Sequence, residues 1–123
     1  MEVPSISSKD FTAEVRCEGD RAELTIAGTA DLRALKPLQE LLQKLHDEII
    51  RLGVAEIRVD VRMLRFMNSS CFKAFVSWLN RVRKLASDHP YRILFRANPD
   101  LAWQQRSLQA LAAFAADRVS IQY

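Results

Sequence analysis

Apolar and polar residues alternate along this chain with two different periods, and the order of these periods predicts the order of the secondary-structure elements. A period of two, typical of half-buried strands, covers residues 11–17, 22–27, 54–61 and 91–96, with a shorter stretch at 119–123. A period of three to four, typical of amphipathic helices, covers residues 37–52, 69–86 and 101–115. The pattern therefore predicts the order ββαβαβαβ.

Prolines, glycines and short polar runs set the predicted boundaries of these elements. Pro37 suits the first turn of a helix, and Gly53 suits the C-terminal stop of the same helix. Residues 28–31 are predicted to break the preceding strand, and residues 63–68 are predicted to form a loop that leads outward to the second helix. Residues 87–90, which include a proline, are predicted to end that second helix.

The predicted sheet combines two kinds of strand pairing. The strand–helix–strand units favour parallel pairs, and the first two strands are close enough in the chain to form a hairpin. Most strands keep one polar face, which favours a sheet with helices mainly on one side. We therefore expect a single α/β domain over residues 10–123, after a tail of residues 1–9, with a mixed sheet of four to five strands. The charged side chains expected on the less covered face are Arg58, Asp60, Arg62, Arg92 and Arg96.

Composition argues against several classes of function. The 18 basic residues are spread among 15 acidic ones, so the net charge of +3 predicts no phosphate-tracking stripe for nucleic acid. The chain shows no leader segment and no apolar run of membrane-spanning length, which predicts a cytoplasmic protein without membrane insertion. Cys17 and Cys71 are expected to be reduced thiols, and two histidines are too few for a metal cluster, so neither a metal nor a cofactor is expected.

Two carboxylates, Asp31 and Asp60, are candidates for an acid/base pair. Neither is accompanied by a His or Lys in the pattern that such chemistry needs, so a helix-entry cap and a surface charge explain them better. The sequence therefore favours a protein that is not an enzyme.

Two adjacent serines, Ser69 and Ser70, stand where the second predicted helix begins. The first N–H groups of a helix have no partners within the helix, and the helix dipole places partial positive charge there, so a phosphate is favoured at this position. If Asn68 or Ser69 caps the helix, the hydroxyl of Ser70 is left free. The alternative reading is that all three residues serve only as capping and turn residues.

The segment Phe66-Met67-Asn68-Ser69-Ser70, between an apolar strand and an amphipathic helix, resembles the signature of STAS domains, which sulfate transporters and anti-sigma-factor antagonists share. Residues 26–32 resemble the strand-to-helix segment of that family, in which a Gly is followed by an acidic residue, here Asp31, that faces the same site. The resemblance covers roughly residues 10–123 and agrees with the predicted order of elements. It implies a STAS-like fold.

The resemblance also implies a function. In the bacterial antagonists of this family, a partner kinase that doubles as an anti-sigma factor phosphorylates the second hydroxyl residue of the pair, which is Ser70 here. The unmodified domain then binds the kinase, the phosphorylated domain releases it, and a serine phosphatase restores the first state. The partner-binding residues implied for this chain are Asp31, Asn68, Ser69, Cys71, Phe72 and Lys73.

Three departures from the family pattern keep an alternative open. Asn68 replaces the usual Asp, and Cys71 and Lys73 stand where the family often has glycine. The amide removes a negative neighbour of Ser70 and Lys73 offers a positive one, but both larger side chains restrict the approach of a kinase. The alternative is a constitutive interaction or scaffold subunit of the same fold that is not phosphorylated. The sequence leaves the oligomeric state and the identity of the partner open.

Overall fold

The structure is a computed structural model that describes residues 1–85 and 91–123. Six strands and three helices follow one another along the described chain: β1 (Ile6–Ser7), β2 (Phe11–Glu18), β3 (Arg21–Ala30), α1 (Leu32–Leu52), β4 (Glu56–Met67), α2 (Ser69–Arg83), β5 (Arg92–Arg96), α3 (Ala102–Phe114) and β6 (Val119–Gln122). The predicted end of the second helix at residues 87–90 lies outside the described residues.

All six strands form one sheet in the order β1-β2-β3-β4-β5-β6. The pairs β1–β2 and β2–β3 are antiparallel, and the remaining pairs are parallel, which confirms the predicted mixed sheet. The predicted count of four to five strands is wrong, because Ile6 and Ser7 pair with Ala13 and Thr12 as an additional edge strand. A two-residue strand is too short to show a period of two, so the sequence pattern gave no sign of it.

The core lies between one face of the sheet and the three helices. Leu24, Val59 and Phe95 stand side by side in the register of β3, β4 and β5, and each is at most 1% exposed. Thr25, Asp60 and Arg96 occupy the next positions in the same register and point to the opposite side, which is called the open face below. The predicted arrangement, with helices on one side and charges on the other, is confirmed.

Helix α1 begins earlier than Pro37 would suggest. Asp31 is its N-cap, because the Asp31 side chain accepts a hydrogen bond from the N–H of Arg33, and Pro37 lies inside the helix. The predicted strand break at residues 28–31 is also wrong, since β3 runs to Ala30. Gly28, with φ of 98°, marks a close approach within the strand rather than its end: a Cβ at this position would overlap the carbonyl oxygen of Asp10.

The predicted loop over residues 63–68 is mostly strand, because β4 continues to Met67. Its register with β3 shifts twice, between Thr25 and Ala27 and between Gly28 and Thr29. Each shift places an extra β4 residue against β3, so side chains change faces and the alternation in the sequence is lost. In the following, residues 56–60 are called the inner half of β4 and residues 61–67 its outer half.

Candidate functional site

The serine pair lies at the edge of the sheet where the parallel strands β3 and β4 end together. Ala30 and Met67 are register partners, and the N–H of Asn68 donates to the carbonyl of Ala30 at 2.9 Å. The next residues along each strand, Asp31 and Asn68, are the N-caps of α1 and α2. Two helix N-termini with partial positive charge therefore start side by side at this edge.

Asn68 caps the helix that carries the serines. Its Oδ1 accepts a hydrogen bond from the N–H of Cys71 at 2.8 Å. Ser69 is exposed and Ser70 is half-buried, and the hydroxyl of Ser70 makes no hydrogen bond to any residue within 1–85 or 91–123. Since Asn68 satisfies the cap, neither serine is needed for it, as expected in one of the two sequence readings.

The carboxylate of Asp31 is engaged by an arginine. Arg33 donates from Nη2 to Oδ2 of Asp31 at 2.9 Å and reaches Oδ2 of Asp10 at 3.5 Å. The hydrogen bond from the Arg33 side chain lowers the pKa of Asp31, so the group stays ionised. Its negative charge at the edge is thus largely compensated by Arg33.

Cys71 connects the two helix starts from the inside. It is fully buried, and its Sγ lies 3.4 Å from the backbone carbonyl of Asp31, to which it donates. Burial raises the pKa of the Cys71 thiol, so it stays protonated. The side chain of Cys71 therefore supports the edge from within rather than lining its surface.

The remaining predicted binding residues lie along the first turns of α2. Lys73 is exposed, three residues beyond Ser70, whereas Phe72 is half-buried and packs against the core. The structure thus brings Asp31, Asn68 and Ser70 together at one edge, with Lys73 on the outer surface next to them and Phe72 turned partly inward.

Sequence reasoning missed the apolar surface around this edge. Five large apolar side chains are exposed in the described part of the chain, and two of them lie here: Leu32 at 70% and Phe66 at 49%. Met63, at 60%, lies farther back along β4, near Thr25 and Asp60 of the open face. Exposed apolar groups that cluster are typical of protein–protein contact surfaces. Phe66 stands in the motif itself, but the two register shifts hide from the sequence that Met63 and Phe66 point outward.

Sequence reasoning also missed a buried glutamine in α3. Gln104 is fully buried, and its side-chain amide donates to backbone carbonyls of the outer half of β4. The only sign in the sequence is its position in the apolar stripe of α3, four residues before Leu108. A polar residue in such a stripe is expected to have a specific hydrogen-bond partner.

The edge offers little for metal or cofactor binding. No group of three His, Cys, Asp or Glu side chains within the described ranges is arranged to hold a metal ion. A cavity of about 170 Å³ lies beside the start of α1 and is lined in part by Asp10, Asp31 and Arg33, whose charges pair with one another. Among the described helices, none combines the length and apolar character needed to cross a bilayer.

Comparison with known proteins shows the fold. No family model matches the chain, and no curated protein matches it. The crystal structure of an anti-sigma factor antagonist from Mycobacterium paratuberculosis is similar, with a TM-score of 0.60 and 15% sequence identity over 88% of this chain and 86% of the other. At this identity the likeness shows a shared STAS-like fold, which agrees with the fold that the sequence resemblance predicted.

Proposed function

We propose that this protein is a non-enzymatic partner-switching regulator that binds a serine kinase acting as an anti-sigma factor and is controlled by phosphorylation of Ser70. The observation that carries the proposal is the Ser70 hydroxyl, which belongs to a half-buried residue, makes no hydrogen bond to any described residue and stands beside two helix N-termini. The fold shared with an anti-sigma factor antagonist supports the same class of function.

A phosphate on Ser70 would be tolerated within the protein itself. It adds about −1.5 to −2 charges at neutral pH. The nearby Asp31 is already paired with Arg33, Asn68 is neutral, and Lys73 lies one turn along the same helix. The electrostatic cost therefore falls on the complex with the partner, where a penalty of about 3 kcal/mol lowers the affinity roughly a hundredfold.

The surface next to Ser70 suits protein docking. Leu32 and Phe66 expose apolar side chains at the ends of the same two strands. A partner that covers them buries apolar area around the hydroxyl, and interfaces of this kind exclude water from their centre. A charged group at that centre would lose its solvation, which provides the physical basis of release.

The test is phosphorylation by a purified ATP-dependent serine kinase of the anti-sigma-factor type from the same organism. We expect one phosphate on wild-type protein, located by mass spectrometry on Ser70. Ser69→Ala is the matched control, since it alters the adjacent hydroxyl and should still be phosphorylated, whereas Ser70→Ala should not. Phosphate confined to residues outside 68–71, or no phosphate with any such kinase, would refute the proposal.

The second candidate is a constitutive scaffold subunit of the same fold. The half-burial of Ser70 and the side chain of Lys73 nearby favour it, because both restrict the approach of a kinase. Partner affinity of Ser70→Ala and Ser70→Asp separates the two candidates. If phosphorylation controls binding, Ser70→Asp should weaken the affinity for the partner by about tenfold or more, and Ser70→Ala should not. If the protein is a constitutive scaffold subunit, the partner should bind both variants with the same affinity.

A further inference from the structure

Among residues 1–85 and 91–123, the outer half of β4 has a strand neighbour on one side only. β5 ends at Arg96, which is the register partner of Asp60, and β4 continues beyond this point to Met67. A strand edge without a neighbour leaves backbone carbonyls that need other donors. In this molecule those donors come from side chains of α3 and of the segment before it.

Gln104 supplies two of these donors. Its Nε2 lies 2.6 Å from the carbonyl oxygen of Val61 and 2.9 Å from that of Leu64, and it donates to both. Its Oε1 accepts a hydrogen bond from the N–H of Asn98 at 2.8 Å. The amide group is therefore held on both sides and fixes α3 to β4.

Asn98 and Trp103 hold two further carbonyls of the same segment. Nδ2 of Asn98 donates to the carbonyl of Arg62 at 3.0 Å, and Nε1 of Trp103 donates to the carbonyl of Arg65 at 2.8 Å. Together with Gln104, these residues form what is called the α3 clamp below. The clamp replaces a strand neighbour along the outer half of β4.

The clamp acts where pairing with β3 is irregular. Both register shifts between β3 and β4 fall within the outer half of β4, so the ladder on that side is interrupted twice. Interrupted pairing leaves the path of a strand less firmly set by its neighbour. Side-chain hydrogen bonds from α3 therefore have a large part in setting where the strand ends and where α2 begins.

We infer that the α3 clamp, formed by Asn98, Trp103 and Gln104, is a set of positioning residues for Ser70. It fixes the outer half of β4, and through Asn68 it fixes the start of α2, which carries the serine. The consequence for phosphorylation rests on the proposed function. When the clamp is released, residues 65–72 sample other geometries, and a kinase finds Ser70 correctly presented for a smaller fraction of the time.

The test compares two glutamines of α3. Gln104→Met keeps the approximate volume but removes the hydrogen bonds, and Gln105→Met is the matched control because Gln105 is exposed. For Gln104→Met we expect amide hydrogen exchange of residues 65–72 to be about tenfold faster than in the wild type, because at least one net hydrogen bond is lost. Residues 57–60 should change much less, and Gln105→Met should leave both segments unchanged.

Kinase assays provide the functional arm. With the chain as substrate, the clamp variant should lower kcat more than it raises KM, since docking residues are intact and only the presentation of the hydroxyl changes. If Gln104→Met does not fold, Trp103→Phe removes a single donor and serves instead.

Equal acceleration of exchange in both segments, or local acceleration with unchanged phosphorylation, would overturn the inference and leave the proposed function standing. Absence of phosphorylation on wild-type protein would refute the proposed function and the kinetic consequence, while the exchange data would still decide whether the clamp holds residues 65–72.

Discussion

The inner and outer halves of β4 belong to one continuous strand but are held in different ways. The inner half lies between β3 and β5 in regular register, and its Ile57 and Val59 are fully buried. The outer half pairs irregularly with β3, is held on its other side by side chains, and exposes Met63 and Phe66. Val61 and Leu64 of the outer half still reach the core, so the halves differ in that only the outer one also exposes large apolar side chains.

The two halves differ in the kind of hydrogen bond that holds them. Backbone hydrogen bonds between strands depend little on side-chain identity, so the regular pairing of the inner half on both sides does not depend on particular side chains. Hydrogen bonds from Gln104 and Trp103 depend on those particular side chains, so the outer half is sensitive to substitutions far away in the sequence.

The largest effect is expected from a phenylalanine next to the inner half. Phe95 is 1% exposed and pairs in register with Val59. Its ring packs edge-on against that of Phe75, with 6.3 Å between the ring centroids. Phe95→Ala leaves a cavity and should lower the free energy of unfolding by about 3–5 kcal/mol, measured by urea denaturation. Phe66→Ala in the outer half is the matched control and should cost below about 1 kcal/mol, because that side chain is half-exposed. Equal losses for the two variants would mean that the Phe66 side chain is packed as tightly as that of Phe95, and the contrast would fail.

A smaller effect is expected at Gly28, where β3 passes close to the backbone of Asp10, the residue before β2. Gly28 pairs with Leu64 in the outer half, has positive φ, and leaves no room for a Cβ beside the Asp10 carbonyl. Gly28→Ala should therefore destabilise the fold by about 2 kcal/mol or more in urea denaturation. Gly53→Ala is the control, since Gly53 also has positive φ but open space around it, and it should cost about 1 kcal/mol. A smaller loss at Gly28 than at Gly53 would show that the close approach is not needed.

The third prediction concerns the helix start at the end of the outer half. Asn68→Ala removes the acceptor for the N–H of Cys71 and should lower the free energy of unfolding by about 1 kcal/mol. Asn68→Asp should preserve the stability, because a carboxylate also caps the helix and favours its positive end. Thermal and urea denaturation of both variants provide the measurement. If Asn68→Ala were as stable as the wild type, the outer half would not depend on the cap.

The regular parts of this fold could be predicted from the sequence. Alternation in residues 22–27 identified the buried side of β3, and the stripe after Ser69 identified α2, because each face is uninterrupted. The position of Ser70 at a helix start followed from the same pattern. Local signals suffice where one face of an element is buried along its whole length.

The irregular parts required three-dimensional information. Pro37 suggested a helix start, but the cap at Asp31 and the buried Ala34 extend α1 backward through the proline. The register shifts in β4 and the burial of Gln104 depend on contacts between residues distant in the chain, which leave no local period. The apolar surface and the α3 clamp both arise from these irregularities, so the sequence indicated the serine but not the surface around it.

The last effect is expected from pH, because a buried histidine and two paired carboxylates respond in different pH ranges. His46 is a buried residue of α1, and its Nδ1 lies 2.6 Å from the hydroxyl of Tyr91, which also accepts a hydrogen bond from Trp78. Burial lowers the pKa of His46 below its ordinary value of 6.5. As the pH falls below 6.5, the unfolded chain binds a proton at this histidine that the folded chain does not bind. The contribution of neutral His46 to the free energy of unfolding is therefore complete above pH 6.5 and declines below it.

Two carboxylates, one at the start of α1 and one in the inner half of β4, respond at lower pH. Arg33 and Arg62 lower the pKa values of Asp31 and Asp60 below 3.8, so their contributions are lost only as the pH falls below the range in which His46 acts. Urea denaturation between pH 7.5 and pH 5.5 should therefore show a decline of at most about 1.4 kcal/mol per pH unit for the wild type. His46→Gln should flatten this slope, and Asp31→Asn should leave it unchanged. If the slope persists in His46→Gln, another group titrates in this range and His46 does not explain the pH dependence.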